Sequence, residues 1–183
     1  SNFSIGGNYS ASGGETTFNG TSTFSGTANL FNTRITSAAT LIMGGSSILR
    51  VGGTETLEVG YTFNSSSNIP NTVNYNSTGA QSIGLNSFNN VIVSGGNTKT
   101  PLAGLTASGD VTVEVATILN GGNFTHNISG SWVNNGTFSP GTSTVQFVGS
   151  NDANITGATT FSTLQVNKST SANTLTLNNN VSS

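Results

Sequence analysis

The residues that could carry chemistry are few and scattered along this chain. The sequence has 183 residues, with six acids, four bases, one histidine and no cysteine. Catalysis by a nucleophile and a base, or binding of a metal ion, needs several such side chains gathered in one place. His126 is the only histidine, and it shares strand parity with Phe124 and Ile128. We therefore expect His126 to have a structural role, either facing inward or at a corner.

The acidic residues also lack the spacing of a catalytic pair. Asp110 and Glu114 would share one strand face about 13 Å apart at 3.3 Å per residue, whereas glycosidases hold their two carboxylates at most about 9.5 Å apart. An acid on an adjacent turn could still complete such a pair. Asp110 and Asp152 each follow a turn-forming residue, so we expect them to cap backbone groups. The remaining acids are Glu15, Glu55 and Glu58.

From this distribution we predict that the protein is not an enzyme. We assign no catalytic, cofactor-binding or metal-binding residue and no cofactor. The glycine-rich nonapeptide of calcium-binding β-rolls and the EF-hand loop are both absent. An incidental calcium ion between turns is the alternative.

Two other residue patterns suggest binding surfaces. Trp132, Tyr9, Tyr61 and the phenylalanines could stack on carbohydrate, but their repeated spacing and apolar parity favour stacked core positions. Thr-x-Thr pairs, which an ice-binding solenoid needs once per turn, begin at positions 21, 54, 98, 142 and 174. Their uneven spacing would leave most turns without a pair, and threonine is in any case a favoured strand residue. We therefore expect neither a carbohydrate-stacking platform nor an ice-binding array.

Composition excludes several classes of protein. Ser, Thr, Asn and Gly account for 106 of the 183 residues, and the formal net charge is −2. Four dispersed bases cannot form the basic face of a nucleic-acid binder; they are Arg34, Arg50, Lys99 and Lys168. The longest apolar runs are far shorter than the roughly 20 residues of a membrane-spanning helix. A third of the chain is nevertheless hydrophobic, which argues against disorder.

The hydrophobic residues alternate with polar ones at period two, which is typical of half-buried strands. Residues 110–115 place three valines on one face and polar groups on the other. Gly-Gly, Asn-Gly and Asn-Asn pairs separate such runs and form turns because Gly and Asn tolerate positive φ. No segment of a dozen residues has helical spacing. The sequence therefore predicts an all-β fold.

An imperfect internal repeat favours one all-β architecture over another. A phrase that begins with Phe recurs at residues 31–36, 88–93 and 161–166, and each copy follows another aromatic residue by 13 or 14 positions. We divide the chain into three units of one domain, at about residues 1–58, 59–127 and 128–183. Each unit would suit about three solenoid turns of roughly 20–25 residues. We predict a β-solenoid (parallel β-helix) over residues 1–183, with a β-sandwich as the alternative.

The repeated phrases also resemble a known family. Residues 130–138, 141–147 and 88–93 resemble the recurring phrase of very large secreted bacterial repeat proteins of the Bacteroidetes type. These are broadly similar to filamentous-haemagglutinin-like adhesins. The resemblance covers about residues 60–183 well and the first 60 loosely. It implies a parallel β-helix in an extracellular adhesin or filament, and it carries over no catalytic residue.

The expected function is therefore structural. We expect a β-solenoid segment of a surface adhesin, or a self-assembling extracellular fibre subunit that is secreted or held at the cell surface. The alternative is a polysaccharide- or surface-binding module; a carbohydrate-active β-helix enzyme or an ice-binding protein is a weaker one. The expected partner is another copy stacked end to end, or the continuation of a longer chain, with a glycan or cell-surface ligand as a further option. With so few titratable groups, stability should be nearly flat between about pH 4 and 9.

Overall fold

A computed structural model of the chain describes residues 48–52 and 72–183 in full, and the other strands between residues 3 and 63 as backbone only. This part of the chain consists of short strands joined by turns and contains no helix. Every strand pair is parallel, and each strand pairs with one about 20 residues further along the chain. The predicted all-β solenoid is thereby confirmed. The β-sandwich alternative is not the fold, because a sandwich is built mainly from antiparallel strands.

The strands have the following bounds in chain order. They are β1 (Phe3–Ile5), β2 (Tyr9–Ser12), β3 (Glu15–Thr17), β4 (Ser22–Phe24), β5 (Thr27–Phe31), β6 (Arg34–Thr36), β7 (Thr40–Met43), β8 (Ile48–Val51), β9 (Thr62–Phe63), β10 (Thr72–Tyr75), β11 (Gln81–Ile83), β12 (Ser87–Phe88), β13 (Asn90–Val93), β14 (Asn97–Pro101), β15 (Thr106–Ala107), β16 (Val111–Val113), β17 (Thr117–Asn120), β18 (Thr125–Ile128), β19 (Trp132–Asn134), β20 (Thr137–Ser139), β21 (Thr144–Phe147), β22 (Ala153–Thr156), β23 (Thr159–Thr160), β24 (Thr163–Val166), β25 (Leu175–Leu177) and β26 (Val181–Ser182).

Three parallel sheets form the faces of the rod over residues 72–183. The first face is a nine-stranded sheet of order β2-β5-β8-β10-β13-β16-β19-β22-β25, which extends back into the first part of the chain. The second face has the order β11-β14-β17-β20, and the pair β23-β26 follows it. The third face has the order β12-β15-β18-β21-β24. The chain visits the first, second and third face in succession, so each turn contributes one strand to each face.

The remaining described strands belong to two sheets near the start of the chain. Their orders are β1-β4-β7-β9 and β3-β6. Each parallel step is about 4.8 Å, so the eight steps of the nine-stranded sheet span about 40 Å.

Alternate residues of the strands point into a continuous core. In β16 the side chains of Val111 and Val113 are buried, whereas Thr112 between them is partly exposed. Ladders of such residues pass from turn to turn: Val91 pairs with Val111, which pairs with Trp132. The outward positions are mostly Thr, Ser, Asn and Gln. The amide- and hydroxyl-rich composition is therefore the outer coat of a rod with an apolar interior.

The repeated phrase does not return to the same face. Residues 88–93 place Val91 in the first face, whereas residues 161–166 place Leu164 in the third. A segment made of a strand, a corner and a second strand has the same apolar–polar pattern on every face of the rod. The same phrase of residues can therefore occur at different corners. The phrase thus encodes a corner unit and does not mark a whole number of turns. The unit boundaries near residues 58 and 127 stay a prediction.

Candidate functional site

His126 lies inside the rod. Its ring is 1 % exposed, on strand β18 of the third face. The backbone N–H of Leu105 donates to its Nδ1 at 3.1 Å, and its Nε2 lies 2.9 Å from the carbonyl oxygen of Gly121. The only protonation state that satisfies both contacts is the neutral ring with its proton on Nε2. Of the two positions predicted for His126, inward or at a corner, the structure has the inward one, and the ring's contacts are structural.

Burial lowers the pKa of His126 below its usual value of 6.5, and the bond to the Gly121 carbonyl opposes the shift. A second proton on Nδ1 would point at the N–H of Leu105 and break that contact. The buried ring therefore links β18 to the backbone at Leu105 and at Gly121.

Asp110 and Asp152 cap the backbone of the next turn. The Asp110 Oδ1 atom accepts the N–H of Ser131 at 2.7 Å, and the Asp152 Oδ1 atom accepts the N–H of Thr174 at 2.8 Å. The bonds from Thr174 hold the pKa of the exposed Asp152 below its usual value. The capping role expected for both acids is present, although each cap reaches one turn onward instead of closing a local turn.

These caps belong to a ladder of side chains along one corner of the rod. Asn90 Oδ1 accepts the N–H of Asp110 at 2.8 Å, and Ser131 Oγ accepts the N–H of Asn154 at 3.1 Å. With the bond from the Ser131 N–H to Asp110, three successive steps of the corner are joined by the same kind of contact. Glu114 lies beyond the other end of β16 and is partly buried. Among residues 48–52 and 72–183, no three His, Asp or Glu side chains form a group able to hold a metal ion.

The aromatic residues of the described turns lie mainly in the core. Trp132 is 1 % exposed, and its ring centroid lies 4.9 Å from that of Phe138 and 5.7 Å from that of Phe161, both in edge-on contacts. Such contacts stabilise aromatic pairs beyond their buried area. The predicted core role of Trp132 is confirmed. Tyr9 and Tyr61, and the side chains of Glu15, Glu55 and Glu58, lie outside the residues whose side chains are described.

Lys99 is a buried cation, although in the sequence it is only one of four bases scattered along the chain. It points into the core from β14 and is fully buried. Its ammonium donates to the carbonyl oxygens of Ser77 at 2.5 Å, Gly96 at 2.9 Å and Gly79 at 3.0 Å. Burial lowers the pKa of Lys99. The signal was present in the sequence, because two outward threonines flank Lys99 and parity then turns the lysine inward.

The Thr-x-Thr pairs do not stack into one array over the described turns. Thr98 and Thr100 lie on the second face, Thr144 on the third and Thr176 on the first. The pairs that begin at positions 21 and 54 lie outside the residues whose side chains are described. The geometry of residues 72–183 therefore provides no single flat ladder of such pairs.

The outward side of the third face carries a different polar array. Thr125, Thr144 and Thr163 are paired in register, and Asn127, Gln146 and Gln165 form a second ladder beside them. Their hydroxyl and amide groups make no hydrogen bond to the described part of the chain. The outward sides of the other two faces instead include apolar side chains, among which are Ile92, Ile118 and Val133.

The inward side chains of residues 163–183 are more exposed than those of the turns before them. Val166 of β24 is 59 % exposed and Leu177 of β25 is 53 % exposed, although their partners Phe147 and Ile155 are fully buried. The other large apolar side chains that are exposed in the described turns are Leu102, at 55 %, and Val115, at 68 %.

Fold and site together define a β-solenoid repeat protein. No protein-family model, no curated protein and no solved structure matches the chain. Within the described residues, no helix is long and apolar enough to cross a membrane.

Proposed function

We propose that the chain is a structural rod: a β-solenoid segment of an extracellular surface adhesin, or a subunit of an extracellular fibre. The observation that carries this proposal is the continuous core formed within residues 49–51 and 73–161, where β8 stacks directly on β10. In it, apolar ladders and parallel backbone bonds join each turn to the next. A load along the rod meets hydrogen bonds on three faces at every step. Such a stack resists bending and stretching because each turn contacts only its neighbours yet buries its interior against both.

The environment of the charged groups supports a structural role over a catalytic one. Within the described turns, the two lysines donate to backbone carbonyls: Lys99 inside the core and Lys168 to Val148 at 2.8 Å. His126 bridges two backbone groups, and Asp110 and Asp152 cap backbone N–H groups. Each of these side chains contributes to the stacking of turns. None of them has the nucleophile–base contact from which hydrolytic sites are built.

The extracellular location is proposed from the composition and the family resemblance. A coat of Thr, Ser and Asn with ten charged residues in 183 holds few groups that respond to salt or pH. A chain without cysteine needs no oxidative folding after export. Immunogold labelling of intact cells with antibodies against residues 72–183 tests the location. Gold on the cell exterior or on shed fibres is the expected result, and label confined to permeabilised cells would refute the proposal.

A second candidate function is binding of a neutral polysaccharide on the outward side of the third face. The observation that favours it is the uncharged double ladder of Thr125, Thr144 and Thr163 beside Asn127, Gln146 and Gln165, whose polar groups have no partner within the described chain. A surface rich in hydroxyl and amide groups and free of charge suits a neutral polyhydroxylated chain, because neither partner has to desolvate an ion.

Pull-down with insoluble neutral polysaccharides tests this second function. Thr144→Lys on the third face should weaken retention, whereas Thr112→Lys on the first face serves as the matched control and should not. Equal retention of both variants, or no retention of the unaltered protein, would refute it.

A further inference from the structure

Two Asn-Gly dipeptides lie in the described part of the chain, Asn120-Gly121 and Asn135-Gly136; a third, at residues 19–20, lies outside it. Asparagine is a chemically labile residue. A glycine after it makes it more reactive, because no side chain shields the glycine nitrogen. That nitrogen can attack the carbonyl carbon of the asparagine side chain and close a succinimide ring. The same reactive dipeptide thus stands at two corners of one rod, and the two corners differ in structure.

The corner at Asn120 holds its dipeptide in hydrogen bonds. The N–H of Gly121 donates to the carbonyl oxygen of Ser139 at 2.7 Å, and Oδ1 of Asn120 accepts the N–H of Gly122 at 3.0 Å. Gly121 is buried and Asn120 is partly buried. The nitrogen that would have to attack is therefore engaged, and the side-chain carbonyl that it would attack is bound to a different residue.

The corner at Asn135 leaves both reacting groups free. It consists of two residues between β19 and β20, and the side chain of Asn135 is exposed. The side chain of Asn135 and the N–H of Gly136 make no hydrogen bond to the described part of the chain. The backbone N–H of Asn135 donates to the carbonyl oxygen of Val113 at 2.8 Å. This bond anchors the corner without engaging either group that would react.

The stacking of turns requires glycine at position 136. A Cβ atom on Gly136 would overlap the carbonyl oxygens of Glu114 and Thr117 in the preceding turn. Every side chain that could shield the nitrogen of this residue is therefore excluded. The close approach of the two turns thus keeps a reactive dipeptide at an exposed corner.

We propose that Asn135-Gly136 is a site of spontaneous covalent modification, at which Asn135 becomes aspartate or isoaspartate in the folded rod while Asn120 stays intact. The nitrogen of Gly136 forms a bond to Cγ of Asn135. The bond from Cγ to the side-chain nitrogen breaks, and ammonia leaves with the proton that the glycine nitrogen has lost. Water then adds to one of the two ring carbonyls. Opening of the ring at Cγ gives aspartate, and opening at the backbone carbonyl gives isoaspartate, which is linked to Gly136 through Cγ.

The modification changes both the charge and the backbone of this corner, and it goes beyond the proposed structural function. Val113 pairs with Asn134, so residue 135 lies opposite Glu114 of the preceding turn. A new carboxylate at residue 135 therefore faces a second acid across the ladder, and like charges placed opposite one another destabilise strand pairing. Isoaspartate also adds a methylene to the backbone beside Gly136, which is already packed against the preceding turn. Conversion thus marks the age of a rod and weakens the stacking at one defined corner.

Peptide mapping of the whole chain by mass spectrometry tests the proposal. The purified protein is incubated at neutral pH in water enriched in heavy oxygen, which labels each new carboxylate. In the folded protein, conversion at Asn135 should be at least about 10-fold faster than at Asn120, since two hydrogen bonds must first break at Asn120. In guanidinium chloride the two sites should react at similar rates, because neither is then held by the fold. Asn135→Gln is the matched control: glutamine would have to close a larger ring, so position 135 should gain no label while Asn120 behaves as before.

Two results would overturn the proposal. One is conversion in the folded protein that is equally fast at both sites, or faster at Asn120. The other is an Asn135 that stays intact in the folded protein but reacts in guanidinium chloride, because the fold would then protect it. Circular dichroism at the end of the incubation verifies that the protein has remained folded.

Discussion

Acidification should destabilise the rod through one residue, His126. The ring is neutral in the fold, with Nδ1 accepting from Leu105 and Nε2 donating to Gly121. Burial lowers its pKa below the unfolded value of 6.5. Between these two pKa values the unfolded chain holds a proton that the fold lacks, so stability is fully present above pH 6.5 and is lost as the pH falls.

The size of the loss follows from proton linkage. One proton changes the free energy of unfolding by about 1.36 kcal/mol per pH unit, so the loss between about pH 6.5 and 4.5 is at most about 2.7 kcal/mol. Asp152 keeps its stabilising contribution over this window, because its pKa lies below 3.8. The nearly flat profile expected from the sequence should therefore slope downward on the acid side.

Urea titrations followed by the fluorescence of Trp132, the only tryptophan, measure this profile. The matched control is His126→Gln, whose side-chain amide can accept from Leu105 and donate to Gly121 but cannot titrate. The unaltered protein should lose stability below pH 6.5, and the variant should remain level down to about pH 4.5. The same slope in both proteins, or a level profile in both, would refute the reasoning.

Three further substitutions test separate contacts by the same urea titrations. Lys99→Met should lower the free energy of unfolding by about 2 kcal/mol. Three carbonyl oxygens lose their donor, and this loss outweighs the gain from removing the desolvation cost of the ammonium. An unchanged free energy of unfolding would mean that the contacts of Lys99 do not stabilise the fold. Ala116→Gly should raise the free energy of unfolding by about 1 kcal/mol, because Ala116 has a φ of 58°, which is unfavourable for any residue with a Cβ atom. A lower free energy of unfolding would contradict this. Gly157→Ala should cost at least about 3 kcal/mol, because its φ is +88° and the added methyl would overlap the carbonyl of Asn134. Gly96→Ala, with a φ of +84° and an ordinary contact distance, should cost about 1 kcal/mol, and equal losses at the two glycines would refute the overlap argument.

The alternation of residue types was sufficient to predict the strands and much of the core. Val111-Thr112-Val113 has one side apolar and the other polar, and burial follows that pattern. The parallel stacking was inferred from the internal repeat, because a chain that buries each turn against the next reuses the same local pattern. Local pattern does not reveal which strand pairs with which, since the turns differ in length between one corner and the next.

Other parts of the structure depend on contacts that local pattern does not contain. The residue types of Trp132-Val133-Asn134 do not indicate which side chains point inward. Asn134 takes an inward position because its amide donates to the carbonyl of Ala158 and to the hydroxyl of Thr159 in the next turn. Lys99 is accommodated in the core only because the corner near Ser77 folds three carbonyl oxygens around it. Such pockets form when distant turns stack, so single-strand reasoning cannot locate them.

Electron cryomicroscopy of the purified chain tests the central claim most directly. If the chain is a rod of parallel turns, the images should show elongated particles with a spacing of about 4.8 Å along their long axis. Compact particles, or strands that run along the long axis instead of across it, would contradict the solenoid architecture.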